Sequence, residues 1–342
     1  MVGSLDLLAM STPRLPNQRA TIMDVAAAAG VSRQTVTRAM NDMTGISAVT
    51  RERVQSVAIK LGYTPSRFAK GLVQGASVSV GLAIPDLTNP YFPAFASSVV
   101  EAATELNWTV VVDDYGHGTA SALDAVERLA PQVDAIIGYL GSDADKAQEI
   151  MGRRPVLALD VPESGAAGSI SFDYDHAARL ALEHVAGMGR TRVGFLDASG
   201  EGHAASRGSA IARAAVSLGI ELTLCTAEAS AAAAREVVRA LLAESYRPDA
   251  LLVFNDLMAA GALKAFEDRG VDVPRDCVVV GMDGIPLGEL TSPELTTLSL
   301  DLRLVGRTAV GLLAGLLAGD VQAGAAGSAV ILRHDLVVRQ SA

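Results

Sequence analysis

The sequence predicts a small all-α head joined by a linker to a larger α/β body of two doubly wound subdomains. Three observations predict this. Residues 21–62 carry three short helical patterns separated by capping and turn residues. From residue 78 onward, short apolar runs of strand character alternate with helical stretches of ten or more residues. Charge divides at nearly the same place: residues 1–74 hold nine basic and four acidic groups, a net +5, and the rest of the chain is −15.

Composition bounds the answer. For 342 residues and a usual domain of ~150, about two or three folded units are expected. With 50% hydrophobic and 19% charged residues, there is material for a large core, and the chain is not a disordered polymer. No apolar run reaches the ~18–20 residues of a membrane span; Val310 to Ala318 is short and interrupted by Gly311 and Gly315. No secretory signal is expected, because Asp6 breaks the first apolar stretch and no basic residue precedes it. Cys225 and Cys277 are too few for a disulfide framework or a four-thiolate zinc site, so a reducing cytoplasm is the expected location. The overall charge of −10 looks wrong for a nucleic-acid binder, but the basic head suits a module that meets phosphates.

Residues 1–19 hold two prolines and no period, and read as a loose tail. Thr21 is placed to cap a first helix through Ile22, Val25, Ala26 and Ala29, with Gly30 as its left-handed stop. Ser32 caps a second helix whose buried side is Val36, Ala39 and Met40. A third is expected to start at the cap Thr50, with Glu52 in its first turn and the stripe Val54, Val57, Ala58 and Leu61. Two helices joined by a tight glycine-containing turn make a helix-turn-helix. The N-terminal residues of its second helix reach base edges in the major groove, and here they are Ser32, Arg33, Gln34 and Thr35, with Arg38 about one turn on. Arginine pairs two-pronged with guanine and glutamine with adenine. An ordinary three-helix bundle with a solvated polar face remains the alternative on pattern alone.

Residues 63–75 form a linker. Pro65 starts it and Gly71 and Gly75 loosen it, yet Phe68, Ala69, Leu72 and Val73 keep a helical spacing. In the body, strand runs are expected at Val78 to Ile84, Trp108 to Val112, Ala135 to Leu140, Val156 to Val161, Val193 to Leu196, Ala250 to Phe254 and Val278 to Val280. Their alternation with helices implies parallel sheets covered on both faces. The body is large for one sheet, so two subdomains with a cleft between them are expected, with ligand at the carboxyl ends of strands.

The run Asp24-Val25-Ala26-Ala27-Ala28-Ala29-Gly30-Val31-Ser32-Arg33-Gln34-Thr35-Val36-Thr37-Arg38-Ala39-Met40-Asn41 closely resembles the head of the LacI/GalR family of bacterial transcription regulators. Thr37 replaces the usual serine. The resemblance continues through Thr50-Arg51-Glu52-Arg53-Val54 and Leu61-Gly62-Tyr63-Thr64-Pro65. In the body it covers Ile84-Pro85-Asp86-Leu87-Thr88-Asn89-Pro90-Tyr91-Phe92, Val253-Phe254-Asn255-Asp256, Val280-Gly281-Met282-Asp283 and Leu336-Val337-Val338-Arg339. These landmarks stand in family order across residues 20–340.

The resemblance implies a homodimer that reads a pseudo-palindromic double-stranded DNA operator. It implies a helix-turn-helix domain at 20–65, a hinge helix at 66–76, and an effector-binding and dimerisation domain of the type I periplasmic-binding-protein fold at 77–342. By position, Arg33 and Gln34 would read bases with help from Arg38. Thr21, Ser32, Asn41, Ser47 and Thr50 would hold phosphates, which set register while base contacts set sequence. Val49 stands where the family often has a basic residue. Leu72 falls on the family's minor-groove wedge, which unstacks and bends the duplex, and Arg67 and Lys70 would steady the nearby backbone.

For a small-molecule effector, the resemblance implies contacts from Asp160, Phe172, Arg207, Asn255 and Asp283, with Phe92, Phe95 and Phe172 as apolar walls. Carboxylates, an amide and a guanidinium together suit hydroxyl groups. Each of these also has a structural reading: Asn255 and Asp283 as helix caps, Arg207 as the partner of an acid. Thr226 to Ala234 is nearly all small residues, where several sugar-binding members place an aromatic. A sugar or polyol is favoured, with a nucleoside, acid or phosphorylated metabolite still open.

No enzyme, cofactor or metal is expected. Gly200-Glu201-Gly202-His203-Ala204-Ala205 imitates a dinucleotide fingerprint, but Glu221 starts the next strand instead of ending it. No phosphate-binding loop with a lysine is present, and His117, His176, His184, His203 and His334 show no ligand spacing with the cysteines. A free-standing binding protein or an NAD-dependent enzyme are the rival readings.

Overall fold

The computed structural model describes residues 22–40, 43–61, 77–116, 120–161, 164–198, 204–243 and 247–342. The chain divides into two compact units, Met1–Ser77 and Val78–Ala342.

In the first unit, α1 (Ile22–Ala29), α2 (Arg33–Met40) and α3 (Ala48–Lys60) close on a small core. Val25, Ala26, Ala29, Val36, Ala39, Val54 and Ala58 are buried there, with Met40 and Leu61 packed against them. Gly30 has φ +64°, the left-handed conformation that ends α1 without a Cβ clash. After one intervening residue, Val31, the Ser32 hydroxyl accepts from the Thr35 N–H at 3.2 Å and starts α2. The third helix departs from expectation. It starts at Ala48, and its cap is Ser47, whose hydroxyl accepts from the Thr50 N–H at 3.1 Å. Ser47 sits in extended backbone, so the earlier hydroxyl in the sequence takes the cap and Thr50 enters the first turn. The expected cap at Thr21 and the linker of 63–75 lie outside the described residues.

The second unit has the strands β1 (Ser79–Ile84), β2 (Thr109–Asp114), β3 (Ala135–Gly138), β4 (Val156–Leu159), β5 (Gly168–Phe172), β6 (Arg192–Ala198), β7 (Glu221–Ala227), β8 (Ala250–Val253), β9 (Val278–Asp283), β10 (Thr296–Ser299), β11 (Ala329–Leu332) and β12 (Asp335–Val337). They form two sheets of six, in the orders β11-β5-β4-β3-β1-β2 and β12-β10-β9-β8-β6-β7. All neighbours pair in parallel except β12, which runs antiparallel to β10. The central strands β3, β4, β8 and β9 are buried throughout, as parallel strands covered on both faces must be.

The covering helices are α4 (Tyr91–Glu105), α5 (Ala122–Leu129), α6 (Ala144–Met151), α7 (Tyr174–Gly187), α8 (Ala204–Leu218), α9 (Ala231–Leu241), α10 (Asp256–Asp268), the short α11 (Leu287–Leu290) and α12 (Leu302–Ala318). Helix α12 follows a strand of the second sheet yet packs on α4 of the first. A Cβ at Gly306 would lie 2.6 Å from the backbone of Ser98, so only glycine permits that approach.

The chain therefore crosses between the sheets three times: from β5 to α7, from β10 to α12, and from β11 to β12. Two of these crossings are tied together. The Asp173 N–H donates to the Leu332 carbonyl at 2.9 Å, and Arg333 Nε donates to the Asp173 carboxylate at 3.1 Å. Asp173 also caps α7 by accepting from the His176 N–H.

Candidate functional sites: a polar cleft and an exposed helix end

Every strand of a parallel sheet points its carboxyl end the same way, and in the body those ends carry the polar groups. Asn89, Tyr91, Phe92, Tyr139, Asp160, Arg207, Phe254, Asn255 and Asp283 line one cleft. Asn89, Tyr91 and Phe92 follow β1, Tyr139 follows β3, and Asp160 follows β4 of the first sheet. Phe254 and Asn255 follow β8, Asp283 ends β9, and Arg207 stands on the first turn of α8, all of the second.

Arg207 organises the second side. Its Nη1 donates to the Phe254 carbonyl at 2.7 Å and lies 3.6 Å from Oδ1 of Asp283. Its guanidinium carbon sits 4.3 Å from the Phe254 ring centroid, a cation–π contact. Its Nε donates to the Tyr174 hydroxyl at 3.2 Å, and that hydroxyl donates to both oxygens of Asp160, each at 2.9 Å. Burial holds the Asp283 carboxyl well above the usual carboxylate range, while Arg207 pulls it back. Asp283 has φ +126°, a conformation non-glycine residues rarely adopt. The loop after it is fixed by Asp256, whose carboxylate accepts from the N–H groups of Gly284 and Ile285 and from the Thr297 hydroxyl. Burial pushes Asp256 up to about 6 despite these donors.

Asn255 caps α10 by accepting from the Met258 N–H at 2.8 Å, which uses its carbonyl and leaves its NH2 as a donor. On the other side, the hydroxyls of Tyr91 and Tyr139 share a 2.7 Å hydrogen bond, and the Tyr115 hydroxyl donates to the Tyr139 carbonyl. Burial raises both Tyr91 and Tyr139 far above the usual phenol value, so they stay neutral.

The structure thus brings Phe92, Asp160, Arg207, Asn255 and Asp283 together. Two residues expected as walls lie elsewhere. Phe95 is fully buried and packs edge-on behind Tyr139, and Phe172 packs against Tyr174 and His334; neither lines the cleft. The structural readings also apply: Asn255 caps a helix and Arg207 partners an acid. Sequence reasoning missed Asn89, Tyr91, Tyr139 and Phe254 as lining residues. Tyr139 and Phe254 directly follow a strand's carboxyl end, a signal that would have found them; Asn89 and Tyr91 lie farther on after β1.

In the head, Arg33, Gln34 and Arg38 are exposed along α2, with Thr35 half-buried between them. Ser47 is exposed and Thr50 half-buried at the start of α3, and their hydroxyls are 2.8 Å apart. The expected DNA contacts Thr21, Asn41, Arg67, Lys70 and Leu72 lie outside the described residues, as does the Gly200–His203 segment. Among the described residues, no three His, Cys, Asp or Glu side chains converge as a metal site, and no helix is long and apolar enough to cross a membrane.

A helix-turn-helix head followed by a two-sheet body with a polar cleft defines a DNA-binding transcription regulator with a ligand-binding domain. Comparison with known proteins specifies which. Residues 21–66 match the family model for bacterial regulatory proteins of the lacI family, and residues 182–342 match that for the periplasmic binding protein-like domain. The lactose operon repressor of Escherichia coli (strain K12) is 32% identical over 319 residues, covering 89% of this chain and 86% of that protein. A LacI family transcriptional regulator from Arthrobacter sp. FB24, solved in complex with lactose, is 58% identical with TM-score 0.75; the match covers 78% of this chain and 99% of that one. A lac repressor dimer bound to operator and the anti-inducer ONPF is 30% identical with TM-score 0.71, covering 95% of this chain and 99% of that one. The chain belongs to the LacI family of bacterial regulatory proteins. It is a transcription regulator, not an enzyme.

Proposed function

We propose that the protein is a cytoplasmic, homodimeric repressor whose grip on a pseudo-palindromic operator is set by a neutral sugar or related polyol bound in the cleft. One observation carries this reading: Asp160, Asn255 and Asp283 from strand ends and Arg207 from a helix start converge from both subdomains on one space. The lining charges number two carboxylates to one guanidinium. That balance favours a neutral molecule rich in hydroxyls over an acid or a phosphorylated metabolite, because a second anion would meet buried carboxylates. Phe92 and Phe254 supply apolar faces for the carbon skeleton. The lactose in the Arthrobacter relative supports a sugar as the class.

On the DNA side, Arg33, Gln34 and Arg38 read bases. Thr21, Ser32, Asn41, Ser47 and Thr50 hold phosphates. A hinge at 66–76 places Leu72 in the minor groove beside Arg67 and Lys70. Effector bound between the subdomains favours one degree of closure, and this shifts the DNA equilibrium only as far as its affinities for the two forms differ.

A thermal-shift screen tests the reading. Mono- and disaccharides, including lactose, should raise the melting temperature in proportion to the logarithm of concentration over dissociation constant. A shift produced only by nucleosides or phosphorylated metabolites would overturn the sugar assignment.

A further inference from the structure

We propose that Tyr174 is a positioning residue: it fixes Asp160 as a hydrogen-bond acceptor against Arg207 before any effector arrives, so that the cleft demands a donor hydroxyl at Asp160. The effector part of this statement rests on the function proposed above.

Tyr174 opens α7, directly after the chain first crosses between the subdomains. Its hydroxyl touches both oxygens of Asp160, in the first subdomain, and Nε of Arg207, in the second. Its polarity is fixed. A guanidinium has donors only, so the phenol oxygen must accept from Nε–H. The one phenol proton is then committed to Asp160, and Asp160 must accept. Asp160 lines the cleft and meets an effector there as an acceptor, so a hydroxyl suits it and an effector carboxylate or phosphate does not.

The phenol cannot easily turn away from this duty. Tyr174 is 7% exposed, and its ring is held by Phe172, by His334 and by the Arg207 guanidinium, with centroid separations of 6.2, 5.8 and 5.2 Å. It is not among the residues lining the cleft, so it acts through its two partners. Asp160 is held from the other end as well: its N–H donates to the Ile170 carbonyl at 2.8 Å, with φ +57°.

The test uses the full-length protein with Tyr174→Phe, Asp160→Asn and the double variant. In hydrogen–deuterium exchange without ligand, Tyr174→Phe should speed exchange at the Asp160 and Asp173 amides by about tenfold, leaving the amides of β9 unchanged. The effects of the two single substitutions at Asp173 should not add, because both cut the same link. Unchanged exchange in Tyr174→Phe, or additive effects in the double variant, overturns the proposal. Uniformly faster exchange, β9 included, also overturns it, since it would mean only a loosened fold. Calorimetric titration with lactose forms the second arm: Tyr174→Phe should weaken lactose binding by about tenfold, and wild-type affinity in the variant contradicts the proposal. If the wild-type protein binds neither lactose nor any other sugar, the sugar reading fails, and the exchange data still decide the role of Tyr174.

Discussion

Nη1 of Arg207 lies 3.6 Å from Oδ1 of Asp283, and both side chains are nearly sealed from solvent, at 12% and 4% exposure. Buried ion pairs are poor sources of net stability, but removing one partner leaves a desolvated charge. Arg207→Met should therefore lower unfolding free energy by ~3–5 kcal/mol near neutral pH. Adding Asp283→Asn should restore part of that loss, because a neutral amide needs no counter-ion. Urea denaturation of the single and double variants measures both effects. Equal stability of wild type and Arg207→Met would mean that the pair is solvated and not structural.

The head should read sequence through few side chains. Arg33 stands exposed at the first residue of α2. Arg33→Ala should relax preference at one operator position by ~1–3 kcal/mol while other positions keep theirs. Fluorescence anisotropy across single-base operator variants measures this. A uniform loss across all variants would recast Arg33 as a phosphate contact.

His334 should make the body sensitive to acid. It is 2% exposed, and its Nδ1 has no hydrogen-bond partner among the described residues. Burial, then Arg207, lowers its pKa to about 3, against ~6.5 in an unfolded chain. Between those values the unfolded chain binds a proton that the fold refuses. The contribution is thus present above pH ~6.5 and is lost as pH falls toward 3, by up to ~1.4 kcal/mol per pH unit. Asp197 opposes it. Burial raises its carboxyl to about 6, so its contribution is complete below pH ~3.9 and disappears as pH rises through 6. His334→Phe should therefore flatten or reverse the loss of stability between pH ~6 and ~4. Urea midpoints across that range measure it, and an unaltered acid slope would assign the loss to other groups.

The head was legible because its signals are local. Gly30 and Ser32 sit two residues apart and fix the turn by themselves. The exception, Ser47 capping where Thr50 was expected, arose because two hydroxyls three residues apart both satisfy a capping rule. The body was legible wherever strands are aliphatic, as in β3, β4 and β8. It was not legible in β5 and β10, which carry Ser169 and Ser171, and Thr296 and Thr297, at buried positions. These hydroxyls make polar strands viable only through distant partners, as Thr297 does with Asp256. The edge strands β11 and β12 are short and half-exposed, so no apolar run marks them.

The cleft divided along the same line. Asp160, Arg207, Asn255 and Asp283 were reached through the family pattern, whereas composition and periodicity alone do not single them out. Tyr174 was missed altogether. Its importance comes from two contacts, to Asp160 and Arg207, that join residues 14 and 33 positions away.

The central claim joins a DNA grip to a sugar-filled cleft, and one titration tests both at once. Labelled duplexes from the region flanking the gene are mixed with the purified protein at low ionic strength, and anisotropy is followed with and without saturating sugar. The account predicts saturable binding to one such duplex, weaker binding to random sequence, and a changed affinity when the sugar is added. Equal binding to every duplex, or an affinity that no sugar alters, would contradict it.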